Sequence, residues 1–258
     1  MSVESEGGPG ADAGGAPGAA SVPGTEPAPA VYPPTPRTTP TRLAGRVTYD
    51  TAAIHAVLDE ALICHLGYVV DGEPVVLPTI HARVGTVLYV HGSSGARLMR
   101  AITPDGLPVC VTVSLVDGLV LARSHLHHSL NFRSVVVRGR ATLVDDPAGR
   151  ESALAAIVDH VVPGRTPASR PATRRELAGT AVLRIPLVEV SLKQRGGPPG
   201  DDEADLALPY WAGVIPVRTA FGEPEPAADL EPGTPVPDHV SGYRRPAPHG
   251  YHHPTHHP

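Results

Sequence analysis

Two polar clusters carry the residue types that chemistry needs. The first is His91, Gly92, Ser93, Ser94, Gly95, Ala96 and Arg97. Small residues let a backbone close on a ligand, two hydroxyls can donate, and an arginine fork matches phosphate oxygens. The β-branched run Val87–Val90 precedes it and an apolar-periodic stretch through Ile102 follows. The cluster therefore reads as a strand-to-helix turn, where free N–H groups suit an oxyanion. An ordinary turn with no ligand fits the same residues equally well. No Gly-Lys-Ser/Thr follows, as a P-loop requires, and Ala96 stands where a nucleophile elbow needs glycine.

The second cluster is Ser124–Asn131 (SHLHHSLN), continued by Arg133 and Ser134. Adjacent histidines on a loop do not both face one ion. No Cys or carboxylate stands at a standard ligand spacing, so no metal site is expected here. A hydrogen-bond network between strands or subunits, partly touching a ligand, is the expectation. Arg140 reads as solvated surface. Trp211, the single tryptophan, sits beside Tyr210 in the apolar segment Leu208–Val217 and either packs on the domain or closes over a ligand.

These residues must be positioned by a mostly β framework. Asp50 can cap a helix through Leu62, with Ile54, Val57, Leu58 and Leu62 on one face. Ile63–Val70 and Pro74–Ile80 read as strands joined by an Asp71-Gly72 hairpin, and Val87–Val90 as a third. Pro108–Leu115 and Leu119–Arg123 are joined by an Asp117-Gly118 turn. Phe132–Asp145 is one long strand in which Gly139 marks a bulge or bend. Asp146-Pro147 opens a helix with Leu154, Ile157, Val158 and Val161 inward. Thr173 and Glu176 form a capping box, and Thr180–Lys193 is a last strand. Six or seven antiparallel strands with few helices point to a closed or nearly closed barrel rather than a doubly wound sheet.

The 258 residues are expected to divide into a Gly/Ala/Pro-rich disordered tail over 1–41, a domain over 42–217, and a Pro/His-rich disordered tail over 218–258. Both tails lack the apolar side chains that offset chain entropy. The start lacks a basic-then-apolar leader, and no apolar run approaches the length of a membrane span. Net charge is −5, but residues 37–195 carry 18 bases against 13 acids. Nearly all those bases are Arg, spread rather than clustered, so nucleic acid is not expected. Cys64 and Cys110 read as free thiols of a reducing cytoplasm.

Taken together, LYVHGSSGARLMRAI, PVCVTVSLVDGLVLARSHLHHSLNFRSVVVRGRATLVDD, the PGR at Pro163–Arg165 and PYWAGVIP resemble the flavin-binding split barrels of the pyridoxamine 5′-phosphate oxidase superfamily. The nitroimidazole-resistance reductase branch is the most similar one. The resemblance spans about residues 42–217 and implies a mainly β (α+β) fold, a six-stranded antiparallel split β-barrel with peripheral helices. It implies a cytoplasmic homodimer with FMN in the interface clefts, reducing a small organic acceptor with electrons from reduced nicotinamide. By position, Gly92, Ser93, Ser94 and Arg97 would hold the FMN phosphate. Leu77, Pro78, Thr79 and Ile80 would pass the isoalloxazine through their backbone. His91 would lie near the flavin and is the candidate catalytic residue. Ser129, Asn131, Arg133 and Ser134 would lie near cofactor and interface, with Trp211 beside them.

The arginine-histidine substrate signature of the vitamin B6 oxidases is absent; Leu192-Lys193-Gln194-Arg195 stands in its place. The superfamily also uses a deazaflavin coenzyme or haem, and His91, His125, His127 or His128 could ligate a haem. A non-catalytic flavin- or haem-binding store or sensor is the alternative reading.

Overall fold

The computed structural model describes residues 28–245. Asp50 caps α1 (Thr51–Glu60), its carboxylate accepting from the Ala53 N–H at 2.7 Å. β2 (Ile63–Val70) and β3 (Glu73–Val84) are joined by Asp71 and Gly72, whose φ values of 54° and 80° are the positive pair a two-residue hairpin needs. A short β1 (Val47–Thr48) precedes α1. After β3 come β4 (Val87–Ser93), α2 (Arg97–Arg100), β5 (Leu107–Leu121) and β6 (Ser129–Leu143). α3 (Pro147–Val161) starts at its Asp146 cap, and α4 (Arg174–Gly179) at the full Thr173/Glu176 capping box. β7 (Thr180–Pro186), β8 (Glu189–Arg195), β9 (Gly213–Pro216) and α5 (Asp238–Ser241) complete the described residues.

Every strand pairing is antiparallel. The order β6-β7-β4-β3-β2-β5 closes on itself through the β5–β6 pairing, so six strands make the ring. β8 lies on β6, β1 on β8, and β9 on the edge of β5. Two strands change partner midway. β3 pairs with β2 up to Ile80 and with β4 from His81. β6 pairs with β8 up to Arg138 and with β7 from Thr142. Gly139 sits in that second crossing, where a Cβ would come within 3.4 Å of the Pro186 carbonyl oxygen. These crossings split the barrel into two half-sheets.

The core runs through the ring. Leu66, Val111, Val113, Val135, Val137, Leu183 and Ile185 meet Ile54, Val57 and Leu58 of α1. Ala153 and Ile157 of α3 cover a second cluster with Ala82, Tyr89 and Val182. Cys64 and Cys110 are free thiols; Cys64 is buried, and burial pushes its thiol up to about 12.

Several local expectations differ from the structure. Asp117-Gly118 is not a turn: β5 runs straight through it, with a register shift between Val116 and Gly118. The bulge frees Asp117 from the ladder to meet Arg133. The last strand is two, β7 and β8, broken at Leu187 and Val188. Val158 is 39% exposed, because Ala153 and Ile157 occupy the buried stripe of α3.

The described parts of the expected tails are attached to the domain. Tyr32 is 1% exposed, and its hydroxyl meets His55 Nε2 at 2.8 Å. Tyr243 donates to the Val161 carbonyl at 2.7 Å and stacks edge-on with Phe221. A few aromatic anchors thus hold segments whose overall composition is poor in apolar residues. Residues 1–27 and 246–258, including the terminal histidines, lie outside the described residues.

Candidate functional site

The Gly-Ser turn is tighter than its sequence implies. Strand pairing continues past Val90, matching His91, Gly92 and Ser93 with Val182, Ala181 and Thr180. α2 is a single turn of four residues. The Ser94 N–H donates to the Gly179 carbonyl at 3.0 Å, and the Ala96 N–H to the Ser93 carbonyl at 2.9 Å. The Gly95 N–H reaches Ser93 Oγ at 3.3 Å. The N–H groups of Ser94, Gly95 and Ala96 are therefore spent inside the turn, while the first turn of α2 has no side-chain cap. The side chains offered to an anion are exposed Ser93 and Ser94, and Arg97, 60% exposed and paired with Asp71 at 2.7 Å. Gly92 serves packing, since a Cβ would lie 3.1 Å from Met99 Cε.

His91 is half-buried at the end of β4, with Nδ1 enclosed and without a hydrogen-bond partner. Leu77, Pro78 and Ile80 are exposed and Thr79 half-buried. This stretch pairs only with β2, and among the described residues no strand lies along its other edge before His81. Its backbone groups on that edge are open to a planar ligand.

The second cluster divides. Arg133 is 7% exposed and spends Nε and both Nη groups on carboxylates. It grips Glu60 at 2.5 and 2.9 Å, and Asp117 at 2.9 and 2.7 Å. Asn131, 2% exposed, accepts from Arg195 and donates to the Gly197 carbonyl, fixing the turn after β8. These two side chains are tied into the framework, not presented to a pocket. Ser134 stays accessible, 3.0 Å from Ser114 Oγ across the β5–β6 pair, and Ser129 is half-buried. Trp211 is 68% exposed and lies over Gly213, where a Cβ would stand 2.8 Å from the indole.

His65 gains meaning only from the fold, and the fold fixes the tautomer of His128. His65 is exposed between buried Cys64 and Leu66, so it points out of the barrel, in register with Pro78 and Thr112. Strand alternation over Ile63–Leu66 is the signal that marks it. Exposed apolar Ile63, Val76, Ile80 and Val116 share that region of sheet. His128 is exposed, and its Nδ1 lies 2.9 Å from the Ser124 carbonyl. A carbonyl only accepts, so Nδ1 carries the proton and a neutral ring presents Nε2 as a free lone pair. That is the arrangement in which an imidazole ligates a metal.

Residues 50–194 match the family described as pyridoxamine 5′-phosphate oxidase. The chain belongs to the pyridoxamine 5′-phosphate oxidase family. It has that family's flavin-binding split-barrel fold. Among solved structures, the flavocytochrome Anf3 from Azotobacter vinelandii is 41% identical with a TM-score of 0.77, covering 82% of this chain and 98% of that one. The FAD and haem binding protein from Mycobacterium smegmatis is 36% identical with a TM-score of 0.73, covering 76% and 96%. No curated protein matches. No helix among the described residues is long and apolar enough to cross a membrane.

The geometry offers the phosphate of a flavin nucleotide two hydroxyls and a guanidinium. Ser93, Ser94 and Arg97 would bind it, the β3 edge would take the ring, and His128 or His65 offers a haem ligand.

Proposed function

We propose that this member of the pyridoxamine 5′-phosphate oxidase family is a redox protein that binds a flavin nucleotide and haem, acting as a homodimer. The observation that carries this reading is the near full-length likeness to the flavocytochrome, 98% of whose chain is covered at 41% identity. That likeness reaches 82% of this chain, well beyond the family stretch of 50–194, so it includes part of the flanking arms. Flavin would supply the two-electron carrier; the protein supplies binding, orientation and electrostatics.

Four structural features support the reading. The open edge of Leu77–Ile80 offers backbone partners to a ring. Ser93, Ser94 and Arg97 offer hydroxyls and a charge to a phosphate. His128 offers a lone pair fixed by its bond to Ser124. The exposed apolar residues Ile63, Val76, Ile80 and Val116 favour cover by a second copy. The flavin is FMN or FAD; both carry the phosphate the turn would contact, and the M. smegmatis relative is described with FAD.

The test is direct. The purified full chain is examined for flavin absorption and a Soret band, and the released flavin is separated chromatographically into FMN and FAD. We expect both chromophores, and bleaching of the flavin by reduced nicotinamide without oxygen. His128→Ala should weaken the Soret band while flavin content holds. Failure to bind either flavin on reconstitution overturns the reading. Flavin without haem, followed by nicotinamide-driven reduction of a nitro compound, would move it to a flavin reductase.

A further inference from the structure

We propose that His127, Asp202 and Asp205 bind one divalent transition-metal cation that staples the segment before β9 to the β5–β6 connection. The argument for this site does not use the flavin and haem reading, although His127 directly precedes His128.

Two single 3-10 turns face each other. His127 ends the turn His125–His127. Asp202 is the N-cap and Asp205 the last residue of the turn Glu203–Asp205. In a 3-10 turn, residues i and i+3 eclipse, so both carboxylates stand on one side. The Asp205 N–H closes the turn on the Asp202 carbonyl at 2.9 Å.

A neighbouring pair sets the two turns against each other. The Arg123 N–H donates to Asp201 Oδ1 at 2.8 Å, and its Nη1 to Oδ2 at 2.7 Å. Asp201, with a side chain 2% exposed, is fully satisfied. Asp202 and Asp205 are not: neither pairs with a Lys or Arg among the described residues, and Asp202 meets only His127, Nε2 to Oδ2 at 3.9 Å. One ligand atom from each of the three residues lies within 4.8 Å of the others. Ligands about 2.1 Å from a cation stand about 3 Å apart on octahedral corners. The gap to be closed falls on side chains that are exposed or half-buried, with Asp202 79% exposed.

The donor set is chemically coherent. One neutral imidazole and two carboxylates balance a double positive charge, and the remaining corners would take water. Imidazole with carboxylates suits Mn(II), Fe(II) or Zn(II) over a soft thiolate-seeking ion. A bound cation would bridge a 75-residue gap in sequence, from His127 to Asp202, in the stretch that delivers Trp211 and β9 to the β5 edge.

The experiment titrates the full chain with Mn(II) and follows loss of the free-ion EPR signal, beside Asp202→Asn/Asp205→Asn. The histidine-rich C-terminal sequence is present in both proteins, so the difference isolates the triad. We expect one Mn(II) per chain, at least tenfold weaker binding in the variant, and unchanged circular dichroism. Mn(II) should also slow proteolysis within residues 196–212 several-fold in the native chain and not in the variant. No binding by the native chain, or equal binding by the variant, overturns the site. Triad-dependent binding with unchanged proteolysis overturns the staple.

Discussion

Arg97 at the start of α2 reaches Asp71 on the β2–β3 hairpin, Nη2 to Oδ2 at 2.7 Å. Both side chains are well exposed, 60% and 78%, so the pair is worth about 0–1 kcal/mol. A charged hydrogen bond to a phosphate is worth about 1.5–3 kcal/mol. The second outweighs the first, and Arg97 can leave Asp71 for a ligand. Arg97→Ala is expected to weaken FMN or FAD binding about tenfold or more while leaving riboflavin, which lacks the phosphate, nearly unchanged. Asp71→Asn should tighten nucleotide binding slightly. Fluorescence titrations read both, and equal losses for nucleotide and riboflavin would remove Arg97 from the phosphate site.

Arg133 tests the opposite role. Its guanidinium side chain is 8% exposed between Glu60 and Asp117, which are 18% and 19% exposed. Arg133→Met strands two carboxylates and should cost about 3–5 kcal/mol, read by urea unfolding. Adding Glu60→Gln and Asp117→Asn should restore part of that. A variant of native stability with lost flavin would instead make Arg133 a cofactor ligand.

His81 should make stability depend on pH. It is fully buried, and its Nε2 donates to the Leu58 carbonyl at 2.9 Å. Burial first, then His160, lowers its pKa from 6.5 to about 4. The unfolded chain therefore binds more protons between those values, and stability rises with pH across that window. Unfolding midpoints should be flat above about pH 6.5 and fall as pH drops toward about 4. The full span is at most about 3 kcal/mol. His55, also lowered to about 4 mainly by burial, acts in the same direction. His81→Phe should flatten the slope; an unchanged slope would assign it to other groups.

Arg245 closes two helix ends at once. It donates to the carbonyls of Asp59 and Glu60 at the end of α1 and to the His160 carbonyl near the end of α3. A cation there also meets the negative ends of both helix dipoles. Arg245→Ala should lower stability by about 1–3 kcal/mol and speed proteolysis of residues 218–245. An unchanged melting temperature would show that the arm is held elsewhere.

Local chemistry was legible in the sequence. Asp50, Asp146 and Thr173/Glu176 cap where their side chains can reach a nearby N–H, and Asp71-Gly72 turns because both residues accept positive φ. Alternation and turns pointed to a barrel of six or seven antiparallel strands, and the resemblance to the split-barrel family implied six, the number in the ring. Asp117-Gly118 misled because the same dipeptide serves a bulge when a strand on each side, β6 and β9, holds the chain straight. Within the expected tails, the attachment of the described stretches 28–41 and 218–245 was not legible, because composition averages over a segment, whereas one buried Tyr32 or one anchored Arg245 fixes it.

By itself the sequence determined which residues could do chemistry and that they would sit on an antiparallel barrel, since those depend on contacts a few residues apart. Only the tertiary structure decided how each would be used. It spent the N–H groups of Ser94, Gly95 and Ala96 on Gly179 and Ser93, and committed Arg133 to Glu60 and Asp117. It also set Asp202 and Asp205 against His127. Those outcomes rest on pairings between distant segments, and no local spacing encodes which distant partner a side chain meets.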